Sequence, residues 1–180
     1  MLDEIDYVLL THLHGDHAGG LHPLILRKYF TSGERAKVLY ATPNFRDELV
    51  RYISCFMSEL DKYVELVPLT KIPEIQYVDT TGRHSKGLMS YAYTFVLGRK
   101  LVYYSGDLGG ITVSEKCIEE MLKNHPEAGP GDVLVLHEVS FKKNRQGFSV
   151  IQLPRGIAPF LSINTNKCLQ TCVWCDMIDV

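Results

Sequence analysis

Three imidazoles and a carboxylate fall within six residues near the start of the chain, in "HLHGDH" (His12 to His17), directly after the apolar run "IDYVLL". His12 and His14 stand two apart at the expected end of a strand. Alternate side chains share a face there, so both rings can address one metal ion. Gly15 is expected to let the backbone turn sharply. Asp16 and His17 then emerge at the start of a helix, aimed at a neighbouring position. Imidazole nitrogen with carboxylate oxygen suits zinc, and also manganese or iron. The alternative is a set of surface histidines, yet the pattern would arise by chance at roughly a few in a million starting positions. A metal site is the reading.

The elements that must position this site can be traced along the chain. Residues 5–10 read as a buried strand and residues 18–30 as a helix, with Leu21, Leu24, Ile25 and Tyr29 near helical spacing. Residues 36–41 are strand-like. Thr42 can cap a following helix, with Pro43 at its first position and an acidic first turn. Residues 64–67 and 75–78 are short strand candidates. In "MSYAYTFVLGRKLVYYSGD", Tyr91, Tyr93, Phe95 and Leu97 alternate with smaller or polar residues, and Gly98-Arg99 can form a hairpin turn. Ser114 is a candidate cap for a helix through Lys123, and residues 132–136 give another buried strand after "GPGD". The hairpin implies that part of the sheet is antiparallel. The expectation is a layered α/β domain rather than a run of βαβ units.

A chain of 180 residues allows one well-buried domain, and a net charge of −2 advertises neither nucleic acid nor an anionic membrane. The cluster "KKNR" at residues 142–145 reads as a solvated turn. No apolar run approaches the ~20 residues that a membrane helix needs. The acidic start "MLDEID" lacks the build of a secretory signal, and five cysteines, three of them clustered, do not suggest a disulfide framework. A reducing cytoplasm is expected.

The "HLHGDH" word after a strand resembles the metallo-β-lactamase fold superfamily, over residues 5 to 143. The resemblance implies an αββα sandwich in which His12 and His14, with a later histidine, hold a first metal. Asp16 and His17 hold a second, and a later aspartate bridges the two. His84 in "GRHSKG" matches the later histidine and Asp107 in "YYSGDLGG" the bridging aspartate. His137 and Glu138 in "LVLHEVSF" resemble a word of the ribonuclease Z branch and its phosphodiesterase relatives. They could relay a proton to a leaving alkoxide or simply orient a ligand. The family's several opening strands and final histidine have no counterpart, so the fold is expected to be truncated at both ends. His22 and His125 read as structural or solvent-facing, and Cys55 and Cys117 as packed small apolar groups.

Near the other end, Cys168, Cys172 and Cys175 in "CLQTCVWCD" resemble the iron–sulfur loop of radical S-adenosylmethionine enzymes. That implies a [4Fe–4S] cluster and S-adenosylmethionine in a longer parent protein only. The expected organisation is a metal-hydrolase domain over residues 1–147 and the first strand and cysteine loop of a radical enzyme over residues 148–180.

The function these resemblances imply is metal-dependent hydrolysis with two divalent ions, zinc foremost. A metal-bridging hydroxide would be the nucleophile and Asp16 would orient it. A small phosphodiester, a cyclic nucleotide among the candidates, is expected over RNA, because the long glycine-rich arm of transfer-RNA processing enzymes has no counterpart. No membrane partner is expected, and a homodimer is allowed. The alternatives are an inactive or single-metal fragment of a larger protein, or part of a radical oxidoreductase.

Overall fold

The computed structural model describes residues 5–108 and 112–137. These fall into two compact units, one reaching Pro73 and the other starting at Glu74. Among the described residues, no helix is long and apolar enough to cross a membrane.

The first unit is built on three strands, β1 (Tyr7–Leu9), β2 (Ala36–Tyr40) and β3 (Val64–Pro68), in the order β1-β2-β3. Both pairs are parallel, with Val8 opposite Val38 and Leu39 opposite Val67. Parallel neighbours need a crossover, and helices supply it. The helices α1 (Gly15–Ala18) and α2 (Leu21–Ser32) join β1 to β2, and α3 (Pro43–Ser54) and α4 (Leu60–Tyr63) join β2 to β3. This unit is therefore a run of βαβ units, contrary to the expectation. That expectation rested on the hairpin at residues 91–104, which belongs to the other sheet.

Val38 and Leu39 point to opposite faces of β2, and neither is exposed. Both α2 and α3 pack against this strand. On the outer strand Tyr7 is 46% exposed, so the burial expected for residues 5–10 is complete only at Leu10. Lys37, opposite Tyr7 in the register, holds its Nζ 5.4 Å from that ring's centroid, a cation–π contact.

The helix faces follow from spacing. In α2 the buried residues are Leu21, Ile25 and Lys28, four and three apart. Lys28 buries its stem and carries its Nζ to Glu34 at 2.9 Å, which holds the Glu34 carboxyl below its usual range. In α3 the Thr42 side chain accepts a hydrogen bond from the Phe45 N–H at 3.3 Å, and Pro43 takes the first position, as expected. Phe45, Leu49 and Ile53 form its buried stripe. The first turn is not acidic, because Asp47 and Glu48 fall a turn later. Cys55 ends α3 exposed to solvent, its Sγ 3.3 Å from the Arg51 carbonyl, so it is not the packed group expected.

The second unit is a four-stranded sheet of β4 (Ile75–Asp79), β5 (Tyr91–Leu97), β6 (Lys100–Tyr104) and β7 (Val133–Leu136), in that order. The pairs β4–β5 and β5–β6 are antiparallel, and β6–β7 is parallel. Leu97 pairs with Lys100, which leaves Gly98-Arg99 as the two-residue turn. Gly98 has φ +58°, and among the described residues no non-glycine residue has a positive φ, the pattern of a type II′ turn.

The crossover to β7 is α5 (Thr112–Asn124), which packs Cys117, Ile118 and Met121 against Ala92, Leu101, Tyr103, Val133 and Val135. Cys117 is thus the packed group that the sequence suggested, and burial pushes its thiol pKa up. Ser114 lies inside this helix rather than capping it. Its hydroxyl meets Tyr103 Oη at 2.9 Å, with both groups buried. Each aliphatic side chain buried in this cluster contributes about 1.5–3 kcal/mol.

Candidate metal centre

In the first unit, β1 stops at Leu9 and the chain bends at Thr11. His12 and His14 therefore lie in irregular backbone beyond the strand rather than on its last pleat. His14 is extended (φ −66°, ψ 151°) and serves as the N-cap of α1. Its carbonyl accepts from the N–H groups of His17 at 3.0 Å and Ala18 at 2.8 Å. This single helical turn brings three imidazoles together. The His12 and His14 ring centroids are 4.7 Å apart and those of His12 and His17 4.1 Å.

His12 and His17 are buried and His14 is half-buried, while Asp16 is exposed on the same turn. Thr11 Oγ1 lies 3.0 Å from His12 Nδ1, again with both residues buried. Gly15 is the first residue of α1, and a Cβ there would meet nothing within 4 Å. Its backbone is not left-handed either. The helical hydrogen bonds make the turn, and the conformational freedom of glycine is not what it requires.

In the second unit, the strand pairing sets three candidate segments at one end of the sheet. Asp79 pairs with Tyr91, Tyr93 with Tyr104, and Tyr104 with Leu136. Loop 80–90 with His84, turn 105–107 with Asp107, and His137 just past β7 all emerge there. The loop is laced at its base, where the Thr80 N–H donates to the Ser90 carbonyl at 2.9 Å and the two hydroxyls meet at 2.9 Å.

The turn is tied to the neighbouring strand, with the Ser105 N–H donating to the Leu136 carbonyl at 3.0 Å. Gly106, at φ +55°, is in the left-handed region that a side chain would disfavour, and so aims Asp107. His84 Nε2 and Asp107 Oδ2 are 3.4 Å apart, with 28% and 10% of their side chains exposed. That separation exceeds the ~2.7–2.9 Å of a tight charge-assisted hydrogen bond. His137 is half-buried, and its Nε2 is out of contact with solvent.

Each unit thus gathers part of the expected set, His12, His14 and His17 with Asp16 beside them in one, His84 with Asp107 in the other. Imidazoles with carboxylates are a donor set that fits zinc, manganese or iron. Glu138, Cys168, Cys172 and Cys175, and the cluster at 142–145, lie outside the described residues. His22 stacks on Phe56 at 4.5 Å between centroids, and His125 pairs with Glu127 at 3.2 Å, in keeping with the structural or solvent-facing reading of both. The sequence reading missed Thr11, Thr80 and Ser90. Each is a small polar residue in a buried position, and that alone is no signal without the fold.

The profile of the family described as "Anti-Pycsar protein Apyc1" matches residues 1–149. The chain belongs to the anti-Pycsar protein Apyc1 family. The Apyc1 protein of Paenibacillus sp. (strain J14) is 50% identical over 48 residues, 27% of this chain and 19% of that protein. The Apyc1 protein of Bacillus phage vB_BsuM-Goe3 is 32% identical over 125 residues, 59% of this chain and 48% of that one. Ribonuclease Z of Macrococcus caseolyticus (strain JCSC5402) is 28% identical over 131 residues, 69% of this chain and 40% of that one. The chain spans less than half the length of each of these relatives. The ribonuclease Z match supports the metallo-β-lactamase-like relation drawn from the motif. The Apyc1 match covers every candidate ligand from His12 to Asp107 and ends before the cysteine loop.

Proposed function

We propose that this chain is a metal-dependent phosphodiesterase acting on a small nucleotide, a cyclic one in particular. In this reading residues 1–147 form the hydrolase domain, an αββα sandwich. His12, His14 and His84 hold one divalent ion, Asp16 and His17 a second, and Asp107 serves both. The observation that carries the reading is the histidine loop itself, in which one helical turn packs the imidazoles of His14 and His17 around that of His12. The names of the relatives, anti-Pycsar protein Apyc1 and ribonuclease Z, favour a nucleotide or RNA substrate.

Two metals, when bound, would acidify water and neutralise the charge of the phosphoryl group. The chain's own residues would do the rest. Asp16, exposed beside the buried histidines, would orient the attacking water and accept its proton. His137, at the same sheet end as Asp107, and Glu138, the next residue in the sequence, would relay a proton to the leaving alkoxide. One P–O ester bond breaks, a P–OH bond forms from water, the alkoxide leaves as an alcohol, and a cyclic nucleotide opens to a monophosphate.

The test is hydrolysis by the metal-loaded chain of bis(p-nitrophenyl) phosphate, of 3′,5′-cyclic mononucleotides of each base, and of a precursor transfer RNA. Turnover of the first two that is lost with chelator and restored by zinc or manganese is expected. A chain holding two metals that cleaves none of the three is not a phosphodiesterase, and cleavage of the RNA alone would move the substrate to the ribonuclease Z side.

A further inference from the structure

Thr11 and His12 are adjacent in sequence, and adjacent side chains in an extended chain point to opposite faces. Contact between them is therefore not a default. It arises because the backbone bends at Thr11, between the end of β1 and the histidine loop. The bend puts Thr11 Oγ1 3.0 Å from His12 Nδ1. Thr11 is 3% exposed and His12 0%. Threonine branches at Cβ, so few χ1 choices remain to it and the hydroxyl direction is stiff. A buried, stiff oxygen against one ring nitrogen fixes both the rotation of the imidazole and the nitrogen that can serve as a ligand.

We infer that Thr11 is a positioning residue: its hydroxyl oxygen accepts the Nδ1–H of His12 and so keeps Nε2 as the nitrogen with the lone pair. The inference rests on the reading of His12 as a metal ligand. A neutral imidazole carries one proton on two nitrogens, and metal binding needs the deprotonated one. With the proton held on Nδ1, Nε2 keeps the lone pair that a metal needs, on a ring whose centroid lies 4.7 Å from that of His14 and 4.1 Å from that of His17. Loss of such a partner typically weakens metal binding 10–100-fold.

The experiment uses the 180-residue chain with Thr11→Val, which keeps the shape and removes the hydroxyl, and Thr11→Ser, which keeps the hydroxyl. Long-range proton–nitrogen NMR on the metal-free protein reads the tautomer of His12. Competition with a chromophoric chelator reads zinc affinity, and thermal melts check that each variant is folded. Expected are an Nδ1–H tautomer in the parent chain and in Thr11→Ser, its loss in Thr11→Val, and zinc binding on the order of 10–100-fold weaker in Thr11→Val only. The inference is overturned if Thr11→Val keeps both tautomer and affinity, or if Thr11→Ser is as weak as Thr11→Val. A parent chain that holds the tautomer yet binds no zinc would overturn the metal reading while leaving the hydroxyl's hold on the ring in place.

Discussion

Thr80 and Ser90 close the base of the loop that carries His84 with two side-chain hydrogen bonds. The Ser90 hydroxyl donates to the Thr80 carbonyl at 2.9 Å, so the Thr80 hydroxyl must be the donor in the 2.9 Å contact between their oxygens. Both residues are buried. Ser90→Ala removes both bonds and Thr80→Val only one. Each buried partner left unsatisfied costs about 1–3 kcal/mol. Urea unfolding should therefore show a larger loss of midpoint for Ser90→Ala than for Thr80→Val, at an unchanged slope. Negligible losses in both would mean that the loop is held by its backbone alone, and equal losses that the bond from Ser90 to the Thr80 carbonyl contributes nothing.

Removing ligands should separate metal binding from folding. If the proposed centre forms, added zinc raises the stability of the parent chain by about 2.7 kcal/mol at a hundredfold excess over its dissociation constant. Asp107→Ala is expected to abolish most of that gain, because in the proposal this carboxylate serves both ions. His14→Ala should lower bound zinc from about two per chain to about one, as expected for a residue serving a single ion of a two-metal site. Elemental analysis after gel filtration, with melts at rising zinc, checks both outcomes. A zinc-dependent gain that survives Asp107→Ala would remove Asp107 from the centre.

What was legible in the sequence was chemistry concentrated in short words and turns with steric demands. "HLHGDH" packs its donors so densely that the cluster of His12, His14 and His17 was readable before any fold. Gly98-Arg99 was readable because a two-residue turn asks for a positive φ, which glycine supplies. The parallel sheet of the first unit was not. β1 is only three residues long, and a central strand such as β2 is covered on both faces, so Val38 and Leu39 break the alternation that marks a half-buried strand. Cys55 was misplaced because helical position alone does not say which face an end residue takes. Thr11 was invisible for a related reason, since its contact with His12 exists only through a bend.

Gly106 tests whether the backbone, and not only the side chains, sets the second cluster. Its φ of +55° precedes Asp107 directly. A side chain there costs about 1–2 kcal/mol in the left-handed region. Gly106→Ala should therefore lower stability by that order and, if the strain is relieved by shifting the turn, weaken zinc binding as well. Chemical denaturation and the chelator competition read the two effects separately. A variant as stable as the parent, with unaltered affinity, would show that the turn tolerates a Cβ.

Alkaline pH should expose the buried tyrosines of the second sheet. Burial pushes Tyr103 up to about 12, against the smaller opposing effect of its hydrogen bond with Ser114, and the Cys117 thiolate adds to the rise. Burial also raises Tyr93, helped by Tyr91, Tyr104 and Tyr77. An unfolded tyrosine loses its proton near pH ~10. Between that value and the folded one the unfolded chain binds fewer protons, so stability falls as pH rises, by up to about 1.4 kcal/mol per pH unit for each such group. Below pH ~10 neither state has lost the proton and the contribution is flat. Tyr103→Phe removes one of these groups, so its stability should decline less steeply from pH 10 to 11 than that of the parent chain. It should also be about 1–3 kcal/mol less stable at neutral pH, where Ser114 has lost its buried partner. Urea midpoints measured from pH 8 to 11 decide the matter: parallel declines in the two proteins would mean that Tyr103 titrates as an exposed phenol does.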